Sequence, residues 1–364
     1  MHSKYYKMMN NKLLTIVIPV YKVEQYIRQC LDSIILPADQ MALLEVIVVN
    51  DGSPDHSSEI AQEYAERYSD TIRVINKENG GHGSAWNMGV SMATGKYLRF
   101  LDSDDWLVNL SLFLAQLSSI EADVVFTHLN KYDENRQTAT LHRSFNVYFG
   151  RNYAAEDFSV YDTGNVFTFF NFHRATYRTS MLQAEQPLFC EKCFYDDIIL
   201  YVAPMVLADS LYFLDMVLYN YRINRAGQTI NKKVEKLHSY DYIPVSRQLI
   251  AFAKNHIAKT KNQEIHKERI IWEYMIAHSQ LLASYPLKDF KKTMRAWFPI
   301  MAELPIIYNS RFAYMYNNTP AFLSRYIVKH YYGLARVSGF LYKVLLSYTK
   351  IQHAFRRFLR LSNH

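Results

Sequence analysis

Apolar positions in the first hundred residues fall into short unbroken runs that alternate with stretches of helical period. Leu13 to Ile18 is apolar and β-branched and is closed by Pro19, the pattern of a strand buried on both faces. Val23, Ile27, Leu31 and Ile34 then recur at helical spacing and predict one apolar helix face. Leu43 to Val49 predicts a second buried strand, and Ser53-Pro54 reads as an N-cap with proline opening a helix through Tyr64 and Arg67. Ile72 to Ile75 and Tyr97 to Leu101 predict two more strands, separated by the glycine-rich segment Asn79 to Gly89. Strand and helix alternating in this order predict an α/β domain with a doubly wound, mostly parallel sheet. Ligands of such sheets sit at the carboxyl ends of the strands, where Pro19 to Tyr21, Asp51 and Asp102 fall.

Further along, Asp123 to Phe126 and the aromatic stretch Asn165 to Phe172 predict strands that carry the sheet onward. Tyr195-Asp196-Asp197 precedes a helical Ile198 to Tyr201, and Leu211 to Phe213 with Val217 to Arg222 predict a final strand pair. Beyond about Asn231 the pattern is helical, as in Tyr242 to Ala258 and Glu264 to Tyr285. The expected organisation is a domain over 1–230, with halves at about 13–110 and 111–230, followed by a helical region over 231–364.

Composition changes this picture in three places. At 364 residues and 49% hydrophobic, the chain has enough apolar surface for a large core. Three cysteines make no disulfide framework, and the lone pair Cys190 and Cys193 lacks a second pair for a zinc site, so a reducing compartment is expected. Nine of the 41 Lys and Arg lie between Leu304 and His364, which contains no acidic residue, leaving 32 against 34 acidic groups before it. The net charge of +7 therefore belongs to the tail. The first apolar run, Leu13 to Val20, is short and contains Pro19, so no secretory signal is expected, and no stretch approaches the roughly 18 apolar residues of a membrane span.

The candidate chemistry is acidic. Asp102-Ser103-Asp104-Asp105 ends an apolar strand, and carboxylates spaced two apart on such a turn can share one hard divalent cation. Asp-rich turns are also common without any ligand. Five of the 11 glycines, Gly80, Gly81, Gly83, Gly89 and Gly95, lie within sixteen residues, which predicts backbone close to a ligand or tight irregular turns. The segment is neither a Walker loop nor a GxGxxG fingerprint.

Six segments in order resemble a family-2 glycosyltransferase of the GT-A fold: Ile18 to Tyr21, Val49 to Ser53, Asn79 to Gly89, Gly95 to Tyr97, Asp102 to Asp105 and Tyr195 to Asp197. The resemblance covers about residues 13–230 and implies a UDP-sugar donor, Mg2+ or Mn2+, and a glycan or polyprenyl-linked acceptor in bacterial surface polysaccharide synthesis. It implies that Asp51 accepts from the uracil, that Pro19, Val20 and Tyr21 wall the base, and that Glu24 and Asn87 lie near the donor. Asp102 and Ser103 would face the nucleotide-sugar, with Asp104 and Asp102 as the metal pair; which carboxylate binds the ion directly stays open. Asp197 would be the general base of an inverting displacement, with Asp196 standing where the family has Glu, so the base could lie one residue away. Trp86 replaces the arginine many relatives carry before Asn87. Arg222 and Arg225 are candidates for neutralising the diphosphate, and His82 for touching donor or acceptor. His173, Arg174 and Arg178 could serve an acceptor phosphate, but are expected to be solvated. A processive synthase would carry Gln-x-x-Arg-Trp, which is absent, so few sugars per encounter are expected.

In the tail, Lys329, Arg336, Lys343, Lys350 and Arg357 recur every seven residues among Ile327, Tyr331, Leu334, Leu341, Leu345 and Tyr348. This predicts an amphipathic basic helix, read as a contact for an anionic membrane surface; the other reading is a helix packed on the core. No nucleic-acid module accompanies it. The expected place is cytoplasmic, peripheral on the inner face of the plasma membrane. Two other functions remain: a nucleotidyltransferase of similar fold, although Pro19 to Glu24 is not its phosphate loop, and an inactive membrane-surface binding protein.

Overall fold

The computed structural model describes residues 12–142, 147–154, 171–225, 238, 241–256, 264 and 267. The chain divides into two compact units, Met1–Glu235 with Ala258–His266, and Lys236–Ile257 with Lys267–His364.

Among the described residues, the first unit is built on a ten-stranded sheet. Its strands are β1 (Leu14–Val20), β2 (Leu44–Asn50), β3 (Ile72–Asn76), β4 (Tyr97–Phe100), β5 (Trp106–Leu107), β6 (Val124–Asp133), β7 (Thr138–His142), β8 (Asn152–Ala154), β9 (Ala175–Arg178) and β10 (Ser210–Ile223). They run in the order β3-β2-β1-β4-β9-β6-β10-β5, with β7 on β6 and β8 on β10. The first four are mutually parallel, and β9 enters antiparallel between β4 and β6. Every residue of β1 and β2 is buried, which explains why both read as continuous apolar runs rather than alternating ones. Their register pairs Val20 with Asn50, while Phe100 of β4 pairs with Val17. Tyr21, Asp51 and Asp102 therefore leave the sheet along one edge.

Helices α1 (Ile27–Asp32), α2 (Ala38–Met41), α3 (Ser57–Arg67), α4 (His82–Met92), α5 (Leu110–Leu117), α6 (Thr179–Gln183) and α7 (Ile199–Leu207) cover this sheet. The glycine-rich segment is mostly α4 rather than a loop. A Cβ at Gly89 would meet Val17 Cγ1 at 2.2 Å, and one at Gly83 would meet the Cys190 carbonyl oxygen at 2.2 Å. These glycines let the helix lie against β1 and against the 187–193 loop. Helix α3 starts at Ser57, later than Ser53-Pro54 suggests, because Asp55 Oδ1 accepts from the Ser57 N–H and hydroxyl at 3.2 and 2.6 Å. The expected final strand pair is one strand, β10, with register shifts between Phe213 and Val217 and between Val217 and Tyr219. Of the aromatic stretch Asn165 to Phe172, residues 165–170 lie outside the described residues, and Phe172–Arg174 is a 3-10 turn leading into β9.

In the second unit α8 (Tyr242–Asn255) buries Tyr242, Val245, Leu249, Ile250 and Phe252 on one face. Lys267 Nζ donates to the carbonyls of Ala253 and His256 at 2.8 Å, serving the helix end. Apart from Glu264 and Lys267, the helix expected over 264–285 lies outside the described residues, as does the whole basic stripe from Lys329 to Arg357. Among the described residues, no helix is long and apolar enough to cross a membrane.

Candidate active site

The sheet edge opens into a cleft of about 530 Å³ whose walls include Pro19, Val20, Tyr21, Asp51, Asp102, Ser103, Asp104 and Asp197. Eight of the predicted site residues, far apart in sequence, are brought together there. Glu24 and Asn87 do not line it. The Glu24 carboxylate accepts from the His56 N–H at 3.0 Å, just ahead of α3. The Asn87 amide donates to the Phe189 carbonyl and accepts from the Phe189 N–H, both at 2.9 Å, so it fastens the 187–193 loop to α4. Trp86 is buried in an aromatic cluster with His82, Phe100, Phe172 and Phe189.

Asp51 leaves β2 at the cleft floor and is 3% exposed. Its Oδ1 accepts from Gly80 N–H at 2.9 Å and Lys77 Nζ at 2.6 Å, and its Oδ2 from Gly81 N–H at 2.8 Å. Three donors satisfy most of a carboxylate's four acceptor positions. Asp51 thus also fixes the entry of α4, with Gly81 at φ +86 making the turn.

The Asp102 to Asp105 turn is tied down by β10. The Tyr219 hydroxyl accepts from the Asp102 N–H at 3.2 Å and donates to Asp105 Oδ2 at 2.7 Å, while Arg222 N–H donates to Asp105 Oδ1 at 2.7 Å. Burial, aided by the charges of Asp104 and Asp102, pushes the Asp105 carboxyl well above its ordinary range. Asp105 therefore anchors the turn, whereas Asp102 and Asp104 face the cleft. The Asp104 carboxylate is ion-paired with Arg225, another cleft residue. Arg222 is buried under the turn, where its Nε donates to the Asp104 carbonyl at 2.8 Å.

Opposite this turn, Tyr195 at φ +66 leads into the 3-10 turn Asp196–Ile198 and then α7. His82, the first residue of α4, bridges the two acidic segments: Nδ1 is 3.0 Å from Asp196 Oδ2 and Nε2 is 3.4 Å from Asp102 Oδ1. Burial lowers the His82 pKa, but Asp196 and Asp102 outweigh it and hold the ring well above the usual histidine value. Burial, joined by the charge of Asp196, pushes the Asp197 carboxyl up to about 7. A carboxyl poised there can take a proton near neutral pH.

His173, expected to be solvated, is buried with Nε2 3.3 Å from Asp102 Oδ2. Arg174 is also buried, and Arg178 Nε donates to Asp123 Oδ1 at 2.9 Å. No local pattern around residue 173 announces this, because its partner stands 71 positions away.

Residues 15–182 match the model described as Glycosyl transferase family 2. The chain carries a family-2 glycosyltransferase domain. It is 40% identical over 129 residues to the uncharacterized glycosyltransferase EpsJ of Bacillus subtilis strain 168, across 35% of this chain and 36% of that protein. It is 27% identical over 292 residues to the minor teichoic acid biosynthesis protein GgaB of the same organism, across 77% of this chain and 30% of GgaB. The chain spans about a third of the length of these curated relatives. Its fold is similar to that of S. aureus TarS 1-349 in complex with UDP-GlcNAc, with a TM-score of 0.64, 19% identity, and coverage of 95% of this chain and 92% of that one. This likeness gives the family-2 domain its GT-A architecture.

Proposed function

We propose that this family-2 domain is an inverting glycosyltransferase that moves one sugar from a UDP donor to a hydroxyl of a glycan or polyprenyl-linked acceptor during bacterial surface polysaccharide synthesis. The observation that carries this reading is Asp197, a carboxyl raised to about 7 in the same cleft as Asp102 and Asp104. The UDP-GlcNAc named with TarS supports the donor class, and the teichoic acid role named for GgaB supports the acceptor class.

Pro19, Val20 and Tyr21 wall the uracil, and Asp51 offers it the acceptor position its three donors leave over. Two hard carboxylates in one cleft fit Mg2+ or Mn2+, so Asp102 and Asp104 would hold the ion. Bound there, the cation neutralises charge developing on the diphosphate leaving group. Arg225 is placed to exchange Asp104 for a phosphate oxygen. Asp197 takes the proton of the acceptor hydroxyl as its oxygen bonds to the anomeric carbon. The bond from that carbon to the diphosphate breaks on the opposite face, and the configuration inverts. The charge of Asp196, whose carboxylate is held by His82, helps keep the basicity of Asp197 high.

The basic stripe from Lys329 to Arg357 is assigned to an anionic leaflet at the inner face of the plasma membrane, each Lys or Arg contributing about 1 kcal/mol near the surface. The central reading is tested with a panel of UDP-sugars, reading thermal stabilisation and donor hydrolysis with and without Mn2+. One UDP-sugar should stabilise the protein and be hydrolysed slowly. Stabilisation by no UDP compound would sink the donor assignment.

A further inference from the structure

We propose that His173 is a direct ligand of the divalent cation beside Asp102, giving the site a nitrogen donor that favours Mn2+ over Mg2+; this rests on the metal-assisted reading above. The argument begins at Asn171. Its Oδ1 accepts from the backbone N–H of His173 at 2.9 Å, which fixes that atom as the oxygen of the amide. The same Oδ1 meets Nδ1 of the His173 ring, so Nδ1 must carry the proton. In the neutral ring the lone pair then lies on Nε2.

That lone pair points at acidic oxygens. Nε2 is 3.3 Å from Asp102 Oδ2 and 3.9 Å from Asp105 Oδ2. Ligand atoms of Asp102, Asp105 and His173 all lie within 4.8 Å of one another. Asp105 is already satisfied by Tyr219 and Arg222, so the unsatisfied contact is that of the Nε2 lone pair with the Asp102 carboxylate, which a shared cation relieves. An octahedral ion with bonds of about 2.1 Å places adjacent ligands about 3 Å apart and opposite ligands about 4 Å apart. The 3.3 Å between Nε2 and Asp102 Oδ2 falls inside that window.

The ring is also held as a ligand should be. Its side chain is 8% exposed, and Nδ1 is orientated by an amide oxygen, the usual outer partner of a metal-bound histidine. Arg99, itself fully buried, grips the turn by donating to the His173 carbonyl and, at 2.9 Å, to Thr176 Oγ1. Tyr219 and Tyr221 flank the ring at 4.9 and 4.6 Å. Oxygen-only sets suit Mg2+, whereas an imidazole nitrogen disfavours that hard ion relative to a transition-metal ion such as Mn2+.

The test is pulsed electron paramagnetic resonance of the full chain loaded with Mn2+, alone and with UDP. The bound ion should show coupling to an imidazole 14N, replaced by 15N coupling when only the histidines are labelled. His173→Gln should remove the coupling and weaken Mn2+ by about tenfold or more while Mg2+ changes little. His82→Gln should keep it, since His82 and His173 are the histidines lining the cleft among the described residues. The labelled wild-type protein answers even if H173Q fails to fold. Bound Mn2+ without nitrogen coupling, or coupling that disappears with His82, overturns the assignment and leaves metal-assisted transfer standing. Absence of any Mn2+ binding removes both.

Discussion

His82 Nδ1 lies 3.0 Å from Asp196 Oδ2, joining the N-terminus of α4 to the acidic turn that carries Asp197. This contact gives the buried Asp196 carboxylate a partner next to Asp197, whose carboxyl the Asp196 charge helps to raise. It makes the basicity of Asp197 a property of the assembled cleft.

Asp197→Asn preserves size and most hydrogen bonding but cannot take a proton. Transfer should fall by roughly 100-fold or more while UDP affinity, read by calorimetry, changes little. If Asp196→Asn carries the loss instead, the base is the neighbouring residue.

The pH dependence follows from the raised carboxyl. For the wild type, kcat/KM should rise with pH and level off above about 7, as Asp197 ionises. Stability should run the other way. In the unfolded chain this carboxyl ionises near pH ~4, so between pH ~4 and 7 the folded state holds the extra proton and stability falls as pH rises. Asp197→Asn should therefore raise Tm at pH 8 relative to the wild type and flatten the pH slope. An unchanged slope would mean that Asp197 titrates normally.

Asp104→Ala should abolish the metal-dependent part of UDP stabilisation and cut transfer by about 100-fold, the equivalent of about 3 kcal/mol. Treatment with a chelator should reproduce the loss in the wild type. Full activity in chelator would remove the metal from the mechanism.

Gly89→Ala tests why the glycine-rich segment is glycine-rich. Alanine gains about 1 kcal/mol of helix propensity, but its methyl would lie 2.2 Å from Val17 Cγ1, and overpacking costs about 1–3 kcal/mol. Urea denaturation should show a net loss of about 1–2 kcal/mol. Combining it with Val17→Ala should recover part of that loss, whereas simple additivity would refute the contact.

Removing the chain after Thr319 should abolish sedimentation with anionic liposomes while leaving UDP binding intact. Liposome binding by the intact chain should weaken as salt rises, since such attraction is screened over about 10 Å at 0.1 M. A truncated chain that no longer binds UDP would show the tail to be packed structure.

Much of the sheet's parallel half is legible in the sequence. Both faces of β1 and β2 are covered, so their apolar runs need no alternation, and their polar ends at Tyr21 and Asp51 mark one edge of the sheet. Asp102 and Asp104 are legible as candidates because an acidic turn after a strand interrupts an apolar pattern, whereas Asp197 is marked by the family resemblance. Tertiary structure decided the rest. Gly83 and Gly89 look like loop glycines until a neighbour is seen 2.2 Å from where each Cβ would stand. Leu211 to Phe213 and Val217 to Arg222 look like two strands because a bulge in β10 breaks the period without reversing the chain. The placement of His173 on Asp102, and of His82 between Asp102 and Asp196, depends on contacts across 71, 20 and 114 positions. Sequence spacing carries periodicity along one element; charge pairing between elements exists only once the sheet order sets them side by side.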